Sequence, residues 1–375
     1  MRRIIILAAL LFAAVHGAAA QTPGNPQLKW SLRFDTKFDN HENDELRYLA
    51  PAVNSMTLFS TRLVPAVGFG WSDGNGGRHT LMAGASLTWD ISENRTLHPR
   101  EPIVFYNFSS DAFDIYAGKF ERRNLIGGYS RAIFAGVATF YDNVVDGIAL
   151  QYHPTNGKLE LVLDWDGIKT ATNRESFRIM SGGEWRPVDT RAVSWFMAGY
   201  SFDLYHLASS IGGGEGVVDH FAVNPWVGVD FVKFGLPLDV ATLQVGWFQT
   251  MDRDRAGADR WLTPGGATIE AAVQKWGVGV RNRLYLGDPL MPLRGVAGVA
   301  PFASKIYRGD PFYSAIADTR VYNYTYIYWL PKLGDYVNFE VSAGLHTDGR
   351  NVGFQQTLGV SVAIDDNMFR KKTAL

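Results

Sequence analysis

Cysteine is absent from all 375 residues. That excludes a disulfide framework, a thiolate nucleophile or metal ligand, and a lipid-modified N-terminal cysteine, so whatever holds the chain in place is its folded part. Net charge is equally scarce: 36 lysines and arginines stand against 37 aspartates and glutamates, a formal −1 at pH 7. Such a balance gives no electrostatic basis for a nucleic-acid partner. Hydrophobic residues make up 46% of the chain, yet beyond the N-terminus they never run uninterrupted for the roughly 18 positions a spanning helix needs. Amphipathic helical spacing is missing as well, since no stretch after the N-terminus repeats at 3.6 residues.

What is present begins with an export signal. Arg2 and Arg3 precede an apolar run over 4–15, and Ala18 and Ala20 occupy the −3 and −1 positions of an A-x-A cleavage site before Gln21. Residues 1–20 are predicted to be a cleaved signal peptide, 21–375 a single domain, and 366–375 a short tail of that domain.

The rest of the chain alternates with period two. Leu28, Trp30, Leu32, Phe34 and Phe38 interleave with Lys29, Ser31, Arg33, Asp35 and Lys37, and Val337, Phe339, Val341, Ala343 and Leu345 with Asn338, Glu340, Ser342 and His346. A strand sends successive side chains to opposite faces, so each segment has an oily side and a wet side. The runs commonly reach ten residues or more, longer than sandwich strands and long enough to cross a bilayer at a tilt. Backbone groups in hydrocarbon have no water to bond, so such a sheet has to close. The pattern predicts an all-β fold, a closed antiparallel transmembrane β-barrel of about 14 or 16 strands. Fifteen segments can be marked, among them one long run over 268–286. An even barrel then requires either a further strand within 131–141 or one fewer. Trp30, Trp71, Trp89, Trp165, Trp247 and Trp329 fall near segment ends, as interfacial girdles do. Tight turns are expected at 154–157, 233–237 and 331–334, and long links at 40–55, 121–145, 251–267 and 287–319.

The signal, the alternation, and the passage from Ile115-Tyr116-Ala117-Gly118 into Lys119-Phe120-Glu121-Arg122-Arg123, returning at Asp142-Asn143-Val144-Val145-Asp146-Gly147, resemble the porin-like outer-membrane channels of Gram-negative bacteria. The resemblance covers most of residues 28–365. It implies an integral outer-membrane barrel for passive diffusion of small polar solutes, with outer-membrane lipid, lipopolysaccharide and the barrel-insertion machinery as partners and no cofactor. One departure is the tail with Phe369, Arg370, Lys371 and Lys372, where barrels of this type often end on an aromatic strand residue.

Within that frame the segment 119–146 is the candidate constriction. Lys119, Arg122, Arg123 and Arg131 would face Asp111, Asp114, Asp142 and Asp146 across the lumen and set up a transverse field. Tyr322, Tyr324, Tyr326 and Tyr328 share one strand face and are candidate stacking residues for planar solutes, or else a lipid-facing wall. Two further readings are a barrel that binds or assembles surface polysaccharide and a lipid-modifying enzyme. For the last, Asp219, His220, His153, His206 and His346 occur with many serines but with no local nucleophile motif, so no residue takes a catalytic label and the chain is expected not to be an enzyme. No metal site is expected: Asp73-Gly74-Asn75-Gly76-Gly77 lacks the periodic carboxylates and closing glutamate of a calcium loop and reads as a turn.

Overall fold

In a computed structural model, the described residues are 24–43, 55–91, 101–135, 140–187, 195–213, 216–257, 259–293, 307–316, 319–331 and 333–366. The expected signal peptide and the tail beyond 366 lie outside them. The dyad pattern is realised as sixteen strands: β1 Gln27–Glu42, β2 Met56–Ser72, β3 Arg78–Asp90, β4 Glu101–Ser109, β5 Phe113–Glu121, β6 Val144–Tyr152, β7 Gly157–Gly167 and β8 Ser176–Trp185 form the first half. The second half is β9 Phe196–Leu207, β10 Val218–Asp230, β11 Val240–Asp254, β12 Gly265–Lys275, β13 Val278–Gly287, β14 Val321–Trp329, β15 Val337–Thr347 and β16 Val352–Asp365. Every strand pairs antiparallel with its sequence neighbours, and β16 closes on β1 from Ser31↔Asp365 to Glu42↔Phe354. Closure leaves no sheet edge, which is what permits this structure in lipid. The chain is therefore a closed, sixteen-stranded antiparallel β-barrel.

The sixteenth strand is not within 131–141, where the described residues carry none. It comes from the run over 268–286, which a two-residue hairpin divides into β12 and β13. Trp276 (φ 53°) and Gly277 (φ 79°) both take the left-handed region that a primed hairpin turn demands. A tryptophan seldom adopts that conformation, so the sequence shows one continuous strand where the backbone reverses.

Alternation sorts the two faces as expected. On β1 the side chains of Leu28, Leu32 and Phe34 are exposed on the outside, while Arg33, Asp35, Asp39 and His41 are buried within. The tight turns at 154–157, 233–237 and 331–334 all lie at the end that holds both termini, and the long links lie at the other. Short turns mark the periplasmic rim and long links the outer one. Trp30, Trp71 and Trp329 sit toward the periplasmic rim and Trp89 and Trp165 toward the outer one, whereas Trp247 stands in the middle of β11 on the exposed face.

The core occupies the lumen. Two long outer links turn inward: residues 122–135 pack Ala132 and Ile133, and residues 307–316 pack Tyr307, Phe312, Tyr313 and Ile316, against Tyr205, Phe248, Tyr285, Tyr322 and Tyr324 of the wall. A second cluster of Phe120, Val145, Ala149, Val162 and Met180 receives Leu125, Tyr129 and Phe134. The inward segments also join each other, Ala135 N–H donating to the Arg308 carbonyl (2.9 Å) and Asp310 N–H to the Arg131 carbonyl (2.8 Å).

Candidate functional site

The expected constriction residues are dispersed. Arg122 lies within the lumen, its Nη2 donating to Asp164 (2.8 Å) and approaching Asp142 (3.3 Å). Arg308 from the other inward segment pairs with Asp142, Asp164 (3.0 Å) and Asp166 (2.7 Å). Burial acts to lower the basicity of Arg308, but these three carboxylates carry it well above its ordinary value, so it stays charged. Arg131 bonds Asp310 (3.1 Å), and Arg123 bonds Asp35 (3.0 Å). Asp114 meets His153 (2.9 Å) near the periplasmic turn, and Asp111 lies exposed in the neighbouring turn. Lys119 and Asp146 pair with each other on the outer face of the wall, in register with exposed Val104. The charges thus latch the inward segments to the wall and do not stand as opposed rows across an open lumen.

The tyrosine ladder faces the lumen, with Ile327 and Trp329 exposed on the other side. Its rings are taken by the protein's own aromatics: Tyr322 stacks on Phe312 and Tyr324 on His346, with centroids 5.6 and 4.0 Å apart. Tyr322 hydroxyl bonds His346 Nδ1 (2.7 Å) and Tyr324 hydroxyl donates to Gln355 (3.0 Å). Tyr326 lies under Arg283 and Tyr328 bonds Gln274 (3.0 Å).

A different constellation stands on the lipid-facing wall near the outer rim. Trp165, Phe177, His206, Asp219 and Arg253 are direct cross-strand partners in one row over β7, β8, β9, β10 and β11. Their chain neighbours Asp164, Arg178, Tyr205, His220 and Asp252 are all buried on the lumen side, which turns the row outward. Trp165 and Phe177 stack (5.6 Å), and Phe177 leans on the His206 ring (5.3 Å). His206 Nδ1 meets Asp219 Oδ1 at 3.0 Å, the side chains being 26% and 9% exposed. Asp219 also accepts from Arg253 Nη2 (3.1 Å) and Arg255 Nε (2.8 Å), and Arg253 lies over the Trp261 ring (4.6 Å). The bonds to Asp219 raise the basicity of Arg255, just past the end of β11. Sequence reading found both His206 and Asp219 and gave neither a role, because it looked for contiguous motifs. The signal that connects them is the hairpin: strands flanking the link 208–217 pair residues equidistant from its centre, and those are 206 and 219.

This arrangement can orient a base. Donation of Nδ1–H to Asp219 leaves the His206 Nε2 lone pair for a proton, and the guanidiniums supply positive charge beside it. Among the described residues no group of three or more histidines, aspartates or glutamates is placed to hold a metal ion.

No curated protein sequence matches the chain. Among solved structures, the outer membrane protein OprD from Pseudomonas aeruginosa aligns over 90% of this chain and 93% of its own with 10% identity and a TM-score of 0.45. A loop L8 deletion mutant of OmpT, an outer membrane protein of Vibrio cholerae, aligns over 90% and 99% with 8% identity and a TM-score of 0.49. At these values the likeness adds nothing to what the strand topology already shows. The model of one family, described as lipid A 3'-O-deacylase-type, matches residues 25–373. That match to an enzyme family overturns the expectation that the chain is not an enzyme. The expectation failed because a barrel assembles side chains by cross-strand register, which no local nucleophile motif records.

Proposed function

Because the chain belongs to the lipid A 3'-O-deacylase-type family, we propose that it hydrolyses an acyl ester of an outer-leaflet glycolipid at the outward row around His206 and Asp219. The observation that carries the reading is the position of that row. A hydrogen-bonded imidazole–carboxylate pair faces lipid at the aromatic outer rim, where ester groups and phosphates lie, instead of facing the lumen. In the proposed reaction His206 Nε2 takes a proton from water as its oxygen attacks the acyl carbon. Asp219 steadies the imidazolium, and Arg253 and Arg255 offset the charge on the tetrahedral oxygen. Collapse expels the sugar alkoxide, which recovers the proton from His206 and leaves a free fatty acid. Trp165 and Phe177 supply an apolar bed beside the ester for the acyl chain.

Purified protein incubated with lipopolysaccharide is expected to release one fatty acid per lipid A, read by mass spectrometry. His206→Asn should slow release by about 100- to 10,000-fold, the usual range for loss of a general base. Equal rates in the two proteins would reject the assignment.

A second reading, a conduit for small polar solutes, is favoured by the charged and polar lining of the lumen. The packing of 122–135 and 307–316 within it weighs against free diffusion, and planar-bilayer conductance separates the two. Engagement of surface polysaccharide has no comparable observation behind it.

A further inference from the structure

A cavity of about 170 Å³ lies inside the barrel between β1, β2 and the inward link after β5. It is lined by Arg33, Lys37, Arg62, Arg123, Glu121 and Phe140, among others. This site is on the opposite side of the wall from the lipid-facing row and does not depend on it.

Three guanidiniums converge there on one carboxylate. Asp35 accepts from Arg33 Nε (3.0 Å), from Arg62 Nε and Nη2 (3.2 and 2.8 Å), and from Arg123 Nη2 (3.0 Å to each oxygen), and Ser361 Oγ donates to it as well (2.6 Å). A carboxylate offers about four acceptor positions, so Asp35 is saturated. Glu121 answers Arg33 (2.6 Å from Nη1), and Lys37 lies 3.6 Å from Asp39, which it shares with His41. Among the described residues, four cations therefore stand against three carboxylates, and one of those is divided with a histidine. Arg33 and Arg62 are nearly shut from solvent, at 9% and 4% side-chain exposure, while Arg123 keeps 38%. Arg123 reaches Asp35 through Nη2, and no described residue accepts from its Nη1, which leaves that donor for a ligand.

Like charges gathered in a confined space repel strongly unless an anion compensates them. We infer that this cavity is a binding site for a small anion, a carboxylate or phosphate of a few heavy atoms, held by Arg123 and Lys37 over the Asp35-anchored pair Arg33 and Arg62. Charge-assisted hydrogen bonds from a guanidinium and an ammonium group suit either anion. Phe140, over which the Arg62 guanidinium lies at 4.5 Å, gives the ligand one apolar wall. The volume is well under the roughly 300 Å³ at which drug-sized pockets begin, which suits a ligand of a few heavy atoms better than an oligosaccharide or a lipid A headgroup.

Equilibrium dialysis of the full chain in neutral detergent, at constant ionic strength, tests the site with labelled succinate and, separately, inorganic phosphate. Saturable binding of one ligand per chain is expected for at least one of them. Succinamide, which has the same skeleton without charge, should not compete. Arg123→Gln and Lys37→Gln sit on partly open side chains, and each should weaken binding about tenfold. Unchanged heat-modifiable gel mobility certifies that the variants fold. No saturable binding of either anion up to millimolar concentration would overturn the inference, as would equal affinity in Arg123→Gln.

Discussion

At the scale of single residues, the outward row makes distinct demands on its members. Asp219→Asn keeps the shape of the pair but removes the charge that steadies a protonated His206, so kcat should fall at least about tenfold with KM little changed. Arg255→Gln leaves the pair in place but removes one of the two charges beside the tetrahedral oxygen, so kcat should again fall about tenfold, with KM little changed. Steady-state kinetics of the two variants check both expectations. Within the inward link, Tyr141 bonds Ser60 (2.6 Å). Burial, with Asp90 and Asp39 nearby, pushes its hydroxyl from 10 up to about 12. A folded-state value above the ordinary one means the contribution is complete below about pH 10 and is lost as pH rises through about 12. Trypsin should therefore begin to cut the link in that alkaline window, and Tyr141→Phe should abolish the pH dependence of the cutting.

At the scale of elements, the β12–β13 hairpin and the inward segments are the parts most exposed to single changes. Gly277 holds φ 79° beside the Leu330 carbonyl, so Gly277→Ala adds a Cβ where both backbone strain and a close neighbour oppose it. A loss of about 1–3 kcal/mol is expected, read as a lower melting temperature in detergent. The inward segment 307–316 depends on Arg308. Arg308→Met would leave Asp142 and Asp164 with Arg122 alone and take from Asp166 its guanidinium partner, at a cost of about 3–5 kcal/mol for a broken buried pair. Because the barrel wall keeps its own ladder of hydrogen bonds, the expected result is release of the segment and not unfolding. Limited proteolysis near 308 should accelerate. Planar bilayers are expected to be nearly silent with the parent protein and to show discrete conductance steps with the variant, and unchanged silence would mean that the plug is held by its aromatic contacts alone.

At the scale of the whole molecule, an oily exterior and a charged interior are two consequences of one alternating pattern. The closed ladder allows the same wall to serve two solvents, with the proposed glycolipid chemistry outside and the inferred anion cavity inside. Much of this was legible beforehand: the faces of β1 and β15, the positions of the tight turns and long links, and the even strand requirement all follow from dyad periodicity and turn residues. The hairpin at Trp276-Gly277 was not, because a tryptophan in the left-handed region leaves no compositional mark. Nor was the filling of the lumen. The arginines and aspartates of 119–146 read as an open constriction, since charge along a chain says nothing of the partner that Arg308 brings from some 160 residues away. By itself the sequence determined that this chain closes into a barrel, for the period of side chains along a strand is local. Only the tertiary structure decided that Arg123 shares Asp35 and that His206 stands beside Asp219, because closure and register are set by the pairing of all sixteen strands together.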